Sequence, residues 1–362
     1  MMTIRFISGA LTATIASTVL FAGLPANLNP AQAASFDSIS RIYAYGDSYA
    51  DNGASLSIST QAVEAGVPNA SLLPADPSLG LYDAEGRWTN GLTSVEGLAQ
   101  NLGVGLTNYA VGGAKSDRGN FFGWLDSFQD TGVFGQIEQF AAAQAGQPAD
   151  ADGLYYIFAS ANDFFGYLDN PNSSGTLDEL AAQTVENIVQ SVTQLSDLGA
   201  EQFLVVNSSD LAALPGATEF DIIEGSERFT TRVNELLPAE LNELSQQLEA
   251  VEIALYDHVS ISDEIRTNPQ AYGLTNIDDP CQPVFPPEPV CSNPNSYYFW
   301  DENHPTGRVN HIIAEDMAEF VTTQQSERSP ESVPEPSAII GTLCLVGLLC
   351  ILSVGKTSRA LR

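Results

Sequence analysis

Lysine is almost missing from this chain, with only Lys115 and Lys356 among 362 residues. Lysine and arginine together number 13 against 45 aspartate and glutamate, a formal net charge of −32. A phosphate backbone needs a basic face to release its counterions, so nucleic acid is excluded as a partner. Charged residues make up only 16% of the chain, so the imbalance reflects scarce lysine more than acidic runs, and a solvated acidic surface follows. Histidine is scarce too. His258, His304 and His311 are the three, which leaves few candidates for a general base near neutral pH.

What is present is core material. Hydrophobic residues reach 44% and aromatics 9%, which argues for a packed globular chain and against disorder. Arg41 to Tyr45, Leu154 to Ala159, Gln202 to Asn207 and Val251 to Tyr256 are short apolar runs of strand length. Between them, Leu177 to Leu198 and Ile222 to Leu248 carry apolar residues at three and four spacings, and Val309 to Phe320 gives a shorter amphipathic helix. Strands buried on both faces and separated by helices predict a central parallel sheet in an α/β sandwich spanning roughly 41 to 320, with ligands at the carboxyl ends of the strands. Residues 51 to 77 read as an insertion with one short helix.

The two ends stand apart from that domain. Residues 1–33 hold Arg5, an apolar stretch and Ala31-Gln32-Ala33, the pattern of a secretory signal with its small-residue cleavage site. Ala338 to Val354 is a charge-free apolar run of membrane-span length at the short limit, followed by Lys356, Arg359 and Arg362. Removing both ends leaves an acidic domain over 34–323 and a polar linker over 324–336 that closes on Pro334-Glu335-Pro336. Segment 337–362 then supplies the transmembrane run and basic tail. This tail resembles the PEP-CTERM sorting signal, which implies an exosortase-type processing partner, passage through the membrane and export to the periplasm, envelope or medium.

Two of the four cysteines, Cys344 and Cys350, lie in the apolar tail, whereas Cys281 and Cys291 bracket a loop too rich in proline for helix or strand. In an oxidising compartment Cys281 and Cys291 are expected to form a disulfide. A metal site is the poorer expectation, because neither a Cys-x-x-Cys nor a neighbouring histidine accompanies them.

Gly46-Asp47-Ser48-Tyr49 directly follows the first apolar run, which sets a serine on the turn between a strand and the next helix. A nucleophile gains there, since its hydroxyl projects above the sheet and nearby N–H groups face the developing negative charge. Asp301-Glu302-Asn303-His304-Pro305 offers the second piece, for three-residue spacing lets a carboxylate meet an imidazole and fix its tautomer. His258, just after a strand, and His311, within the last helix, read as packing or surface residues.

With these pieces the chain resembles a GDSL-type hydrolase of the SGNH superfamily, whose flavodoxin-like three-layer α/β/α sandwich carries an esterase site built from four sequence blocks. Gly46-Asp47-Ser48 matches the first block, Asn108-Tyr109-Ala110-Val111-Gly112-Gly113-Ala114 the second, Ser160-Ala161-Asn162-Asp163 the third, and Asp301 to Pro305 the last. Flanking stretches fit as well, including Gly86-Arg87-Trp88-Thr89-Asn90-Gly91 and Tyr298-Phe299-Trp300. The resemblance implies a Ser48, His304, Asp301 triad and an oxyanion hole from the Ser48 and Gly113 N–H groups and the Asn162 amide, with Gly112 as the fallback. It implies no metal or cofactor.

Two positions depart from the pattern. Tyr49 replaces the usual Leu, and Ser160 the usual Gly, which could tighten the loop presenting Asn162. No Gly-x-Ser-x-Gly occurs, which argues against the α/β-hydrolase nucleophile elbow.

The implied activity is hydrolysis of carboxylic esters, including lipid or phospholipid esters, with the aromatics of Asp117 to Trp124 lining an acyl pocket or simply packing the loop. The alternatives are an O-acetyl esterase acting on exported polysaccharide and a catalytically silent binding module of the same fold.

Overall fold

Five short parallel strands form the centre of the molecule, and the two that are buried throughout, 153–158 and 202–206, are apolar runs that bury side chains on both faces. The computed structural model describes residues 36–169, 175–248 and 250–328. The signal-like 1–33, the Pro334-Glu335-Pro336 motif and the apolar 338–354 run lie outside the described residues. Among the described residues, no helix is long and apolar enough to cross a membrane.

In chain order the regular elements begin with strand β1, Arg41–Gly46, and helices α1, Ala54–Glu64, and α2, Ser94–Leu102. Strand β2, Gly105–Asn108, helix α3, Val133–Gln144, and strand β3, Gly153–Phe158, follow. Next come helices α4, Ala161–Asp169, and α5, Leu177–Asp197, then strand β4, Gln202–Val206, and helices α6, Pro215–Glu219, and α7, Ile223–Gln247. Strand β5, Glu252–Tyr256, and helix α8, His258–Thr267, complete the main crossovers. A small two-stranded pair, β6, Asn276–Pro280, and β7, Tyr297–Phe299, precedes the last helix α9, Gly307–Arg328.

The main sheet runs β2-β1-β3-β4-β5 with every pair parallel, so the expected α/β sandwich with a central parallel sheet is what the chain forms. Helix α5 packs on α7 and meets α3, whereas α2 packs on α9, which also meets α8, giving one helical layer on each face. Central β3 is buried at every position, and its Tyr155 stacks on Tyr43 of β1 with ring centroids 5.1 Å apart. Phe140 of α3 meets that pair edge-on and closes the core on one side.

Helix starts follow local chemistry. Thr93 with Glu96 and Thr176 with Glu179 form reciprocal capping boxes at α2 and α5, satisfying backbone N–H groups that the first turn leaves unpaired.

Several elements differ from the sequence expectation. Strand β2 was not anticipated, because Gly-Leu-Thr-Asn contains a single large apolar residue, yet its register on β1 delivers the second block to the sheet edge. In the β6–β7 pair, β6 has too little apolar content to stand out and β7, though aromatic, is only three residues long. Helix α9 continues past Phe320 to Arg328, into the polar stretch, whose Gln, Glu and Arg residues are good helix formers even without an apolar stripe.

Cys281 and Cys291 are joined by a disulfide that closes the proline-rich loop, and among the described residues these are the cysteines present.

Candidate active site

Strand β1 ends on Gly46, and a Cβ there would lie 2.2 Å from the Phe158 carbonyl oxygen of β3. Only glycine permits that approach of the two strand ends, and it brings the first and third blocks side by side. The side chain of Gln136 fixes the junction further. Its Oε1 accepts the Gly46 N–H at 2.9 Å and its Nε2 donates to the Gly46 carbonyl at 2.8 Å, so a fully buried amide from α3 clamps both backbone groups just before the serine.

Ser48 stands on the following turn, half-buried, with its Oγ 2.7 Å from His304 Nε2. His304 Nδ1 lies 2.8 Å from each Asp301 carboxylate oxygen. A carboxylate only accepts, so Nδ1 carries the proton and Nε2 is left to accept from the serine hydroxyl. Asp301 is held tightly. The N–H groups of Asn303 and His304 donate to Oδ1 at 2.8 Å each, and the Tyr82 hydroxyl donates to Oδ2 at 2.6 Å.

Burial pushes the Asp301 carboxyl up, but the neighbouring His304 and the hydrogen bonds from His304, Tyr82 and Asn303 outweigh it and leave Asp301 below the usual carboxylate range. The four residues from Asp301 to His304 thus form a compact turn closed by the Trp300 N–H donating to the His304 carbonyl at 2.7 Å.

The donors expected around an oxyanion sit on the two adjoining loops. The Gly112 N–H is taken, donating to Asp51 Oδ2 at 2.9 Å and Ser55 Oγ at 2.8 Å. Among the described residues, the N–H groups of Ser48 and Gly113 donate to no backbone or side-chain acceptor. Of the two glycines, Gly113 is the one whose N–H has no acceptor among the described residues. Gly113 has φ +82°, and a Cβ there would fall 2.3 Å from Asn120 Oδ1, so the turn itself demands glycine. Asn162 is buried at the start of α4 and donates one amide hydrogen to the Ala114 carbonyl at 3.1 Å, leaving the second available. Ser160, the unusual opener of the third block, donates to Ser208 Oγ at 2.9 Å, and that bond ties the loop to the segment after β4.

Aromatic side chains flank the histidine. Trp88 lies 5.4 Å from the His304 ring, and Phe122 stacks on Trp88 at 5.9 Å. Phe121, partly exposed, is fixed by its N–H to the Gly113 carbonyl at 2.7 Å and meets Phe165 edge-on. The aromatics of 117–124 therefore stand beside the Gly113 turn.

His258 and His311 do not join this group. His258 is buried against Phe158 and Tyr49, and burial lowers it to about 4, so it stays neutral. His311 is exposed beside Glu315.

Several contributors carry no local sequence signature. Asp51 accepts from the N–H groups of Gly53, Ala54 and Ser55 as well as Gly112, tying the start of α1 to the Gly112–Gly113 turn. Its carboxyl is raised by burial against these donors. Asp47, also buried, is raised to about 7 by desolvation, opposed by the Tyr49 N–H and by His304. Asp163, next to Asn162, is raised to about 6 by burial while it accepts from the Ser116 N–H and the Thr184 hydroxyl. Neither Gln136 nor Tyr82 is marked by any motif.

Comparison with known proteins gives a family match over most of the domain. The model described as GDSL-like Lipase/Acylhydrolase matches residues 42–317. A GDSL esterase/lipase of Arabidopsis thaliana is 28% identical over 75% of this chain and 80% of its own length. The thermolabile hemolysin of Vibrio parahaemolyticus is 24% identical over 78% of this chain and 64% of its own. The phosphatidylcholine-sterol acyltransferase of Aeromonas hydrophila is 24% identical over 79% of this chain and 91% of its own.

Proposed function

The chain belongs to the GDSL-like lipase/acylhydrolase family, and on that premise we propose that it is an exported serine esterase that hydrolyses carboxylic esters at Ser48. The observation that carries this reading is the continuous line Asp301, His304, Ser48, with contacts of 2.8 and 2.7 Å, next to the Ser48 and Gly113 N–H groups, which donate to no acceptor among the described residues. His304 Nε2 takes the hydroxyl proton as Ser48 Oγ attacks the ester carbonyl. Asp301 stabilises the imidazolium. The Ser48 and Gly113 N–H groups and the Asn162 amide hold the oxyanion of the tetrahedral intermediate. Its collapse breaks the ester C–O bond, and the proton on His304 passes to the departing alcohol. Water, deprotonated by His304, then attacks the acyl-serine, releases the carboxylic acid and returns the proton to Ser48.

For substrate we favour esters with an extended acyl group, including lipid or phospholipid esters, because an aromatic wall of Trp88, Phe122 and Phe121 adjoins the histidine and the oxyanion turn. A lipid-acting relative, the acyltransferase of Aeromonas hydrophila, points the same way. Hydrolysis of p-nitrophenyl esters of graded chain length tests this. The expected result is a kcat/KM that rises from acetyl to longer chains. Turnover confined to the acetyl ester would favour an O-acetyl esterase, and no turnover of any ester would leave the binding-module reading.

Location is part of the proposal. The signal-like 1–33, Pro334-Glu335-Pro336, the apolar 338–354 run and the basic end support export followed by exosortase-type cleavage near the motif. Intact-mass measurement on protein taken from the native envelope or medium should give a chain starting near Ala34 and ending near Pro336. A species still carrying Lys356 to Arg362 would mean a retained single-span anchor.

A further inference from the structure

Leu81 and Tyr82, consecutive residues of the loop before α2, grip two consecutive residues of the turn that carries Asp301. Trp300 Nε1 donates to the Leu81 carbonyl at 3.2 Å, and the Tyr82 hydroxyl donates to Asp301 Oδ2 at 2.6 Å, each pair 219 residues apart in sequence. The gripping loop is itself anchored. Arg87 binds Asp83 at 2.8 Å and forks onto both carboxylate oxygens of Glu96 at 2.8 and 2.9 Å, which pins the residue next to Tyr82 to the first turn of α2. The Tyr82 ring also packs edge-on against Trp88, the residue that flanks His304.

We infer that Tyr82 is a positioning residue that acts through Asp301, holding the carboxylate in register with His304 Nδ1 and sharing its negative charge. This rests on the triad reading above and gives the loop before α2 a role in it. The physical step is short. Asp301 Oδ1 is occupied by the N–H groups of Asn303 and His304, but among the described residues Oδ2 has only the Tyr82 hydroxyl and the imidazole. Without the hydroxyl the carboxylate can rotate about its last torsion, and its full charge faces the imidazole. More charge on Asp301 stabilises the imidazolium, so the neutral base forms only at higher pH. The other ionisable groups around the pair are Glu302, which follows Asp301; Tyr49, whose ring packs 5.8 Å from that of His304; and Asp47, in the turn before Ser48. Tyr82→Phe leaves all three in place.

The test compares wild-type full-length protein with Tyr82→Phe on p-nitrophenyl acetate across pH. The expected result is a kcat about tenfold lower near the acid limb, the order of one hydrogen bond to a charged group. KM should change little, and the acid limb of kcat/KM should move upward by roughly half a unit to one unit. On an Asp301→Asn background the same substitution should have a much smaller effect, because the charge it acts through is gone. An unshifted acid limb with wild-type kcat would overturn the inference, as would a lowered melting temperature with no change in the profile. The triad reading fails separately: if Ser48→Ala hydrolyses the ester as wild type does, both fall, whereas an inactive Ser48→Ala beside an unaltered Tyr82→Phe removes only the role of Tyr82.

Discussion

Ser48 Oγ and His304 Nε2 stand 2.7 Å apart although 256 residues separate them in the chain. The fold brings them together by ending β1 and opening α9 on the same edge of the sheet, the carboxyl end of the strands, where a parallel α/β arrangement leaves its crevice. Both side chains are short and both loops are held by buried bonds, Gln136 on the Gly46 backbone and the Asn303 and His304 N–H groups on Asp301. The contact is preorganised.

Ser48→Ala or His304→Ala should therefore abolish hydrolysis of p-nitrophenyl esters while leaving the melting temperature near that of wild type. Loss of one triad member removes several orders of magnitude in rate. Steady-state kinetics on folded variants checks it. A Ser48→Ala enzyme that kept more than about a tenth of wild-type turnover would displace Ser48 as the nucleophile.

Asn162→Ala should lower kcat by roughly 10² to 10³ with a smaller change in KM, the usual loss for one oxyanion donor. The Ala114 carbonyl, which now accepts from Asn162, loses that partner, so a modest drop in stability is expected alongside. An effect confined to KM would assign Asn162 to substrate positioning instead.

How far the sequence reached follows from the range of each interaction. The strands β1, β3, β4 and β5 were legible because each is a short apolar run, buried at every position in β3 and β4, and the Asp301–His304 pair because three residues suffice to bring the two groups together. Family blocks then pointed to Gly113 and Asn162 as the expected oxyanion donors. Strand β2 was invisible for the opposite reason, being held by its register on β1 rather than by apolar content. Gln136 and Tyr82 act on groups 90 and 219 residues away, and a single amide or hydroxyl on an amphipathic helix or an irregular loop leaves no pattern to read.

Removing the disulfide, by Cys281→Ser with Cys291→Ser, should cost about 2 to 3 kcal/mol of stability, the magnitude for closing a loop of this size. Activity should be affected much less than by Ser48→Ala, yet it should not be untouched. The Val284 and Phe285 N–H groups of that loop donate to Glu302 Oε1 at 2.8 and 3.1 Å, and Glu302 adjoins Asp301. Denaturant melts of the oxidised, reduced and double-variant proteins check the stability; equal melts would show that the proline-rich loop holds its shape without the crosslink.

Asp47→Asn should stabilise the protein in a way that depends on pH. Burial raises the Asp47 carboxyl to about 7 in the folded chain, against about 4 when unfolded. Between those values the folded state binds the extra proton, so wild-type stability from this group falls as pH rises through the window. Asparagine keeps an oxygen for the Tyr49 N–H, now accepted by Asp47 Oδ1 at 3.1 Å, and carries no charge to desolvate. The melting temperature of Asp47→Asn relative to wild type should therefore climb from about pH 4 to about pH 7 and level off above it. A difference that stays constant across that range would mean that Asp47 ionises in the folded protein as easily as in water, with the loss of its charge near His304 then showing only in the rate.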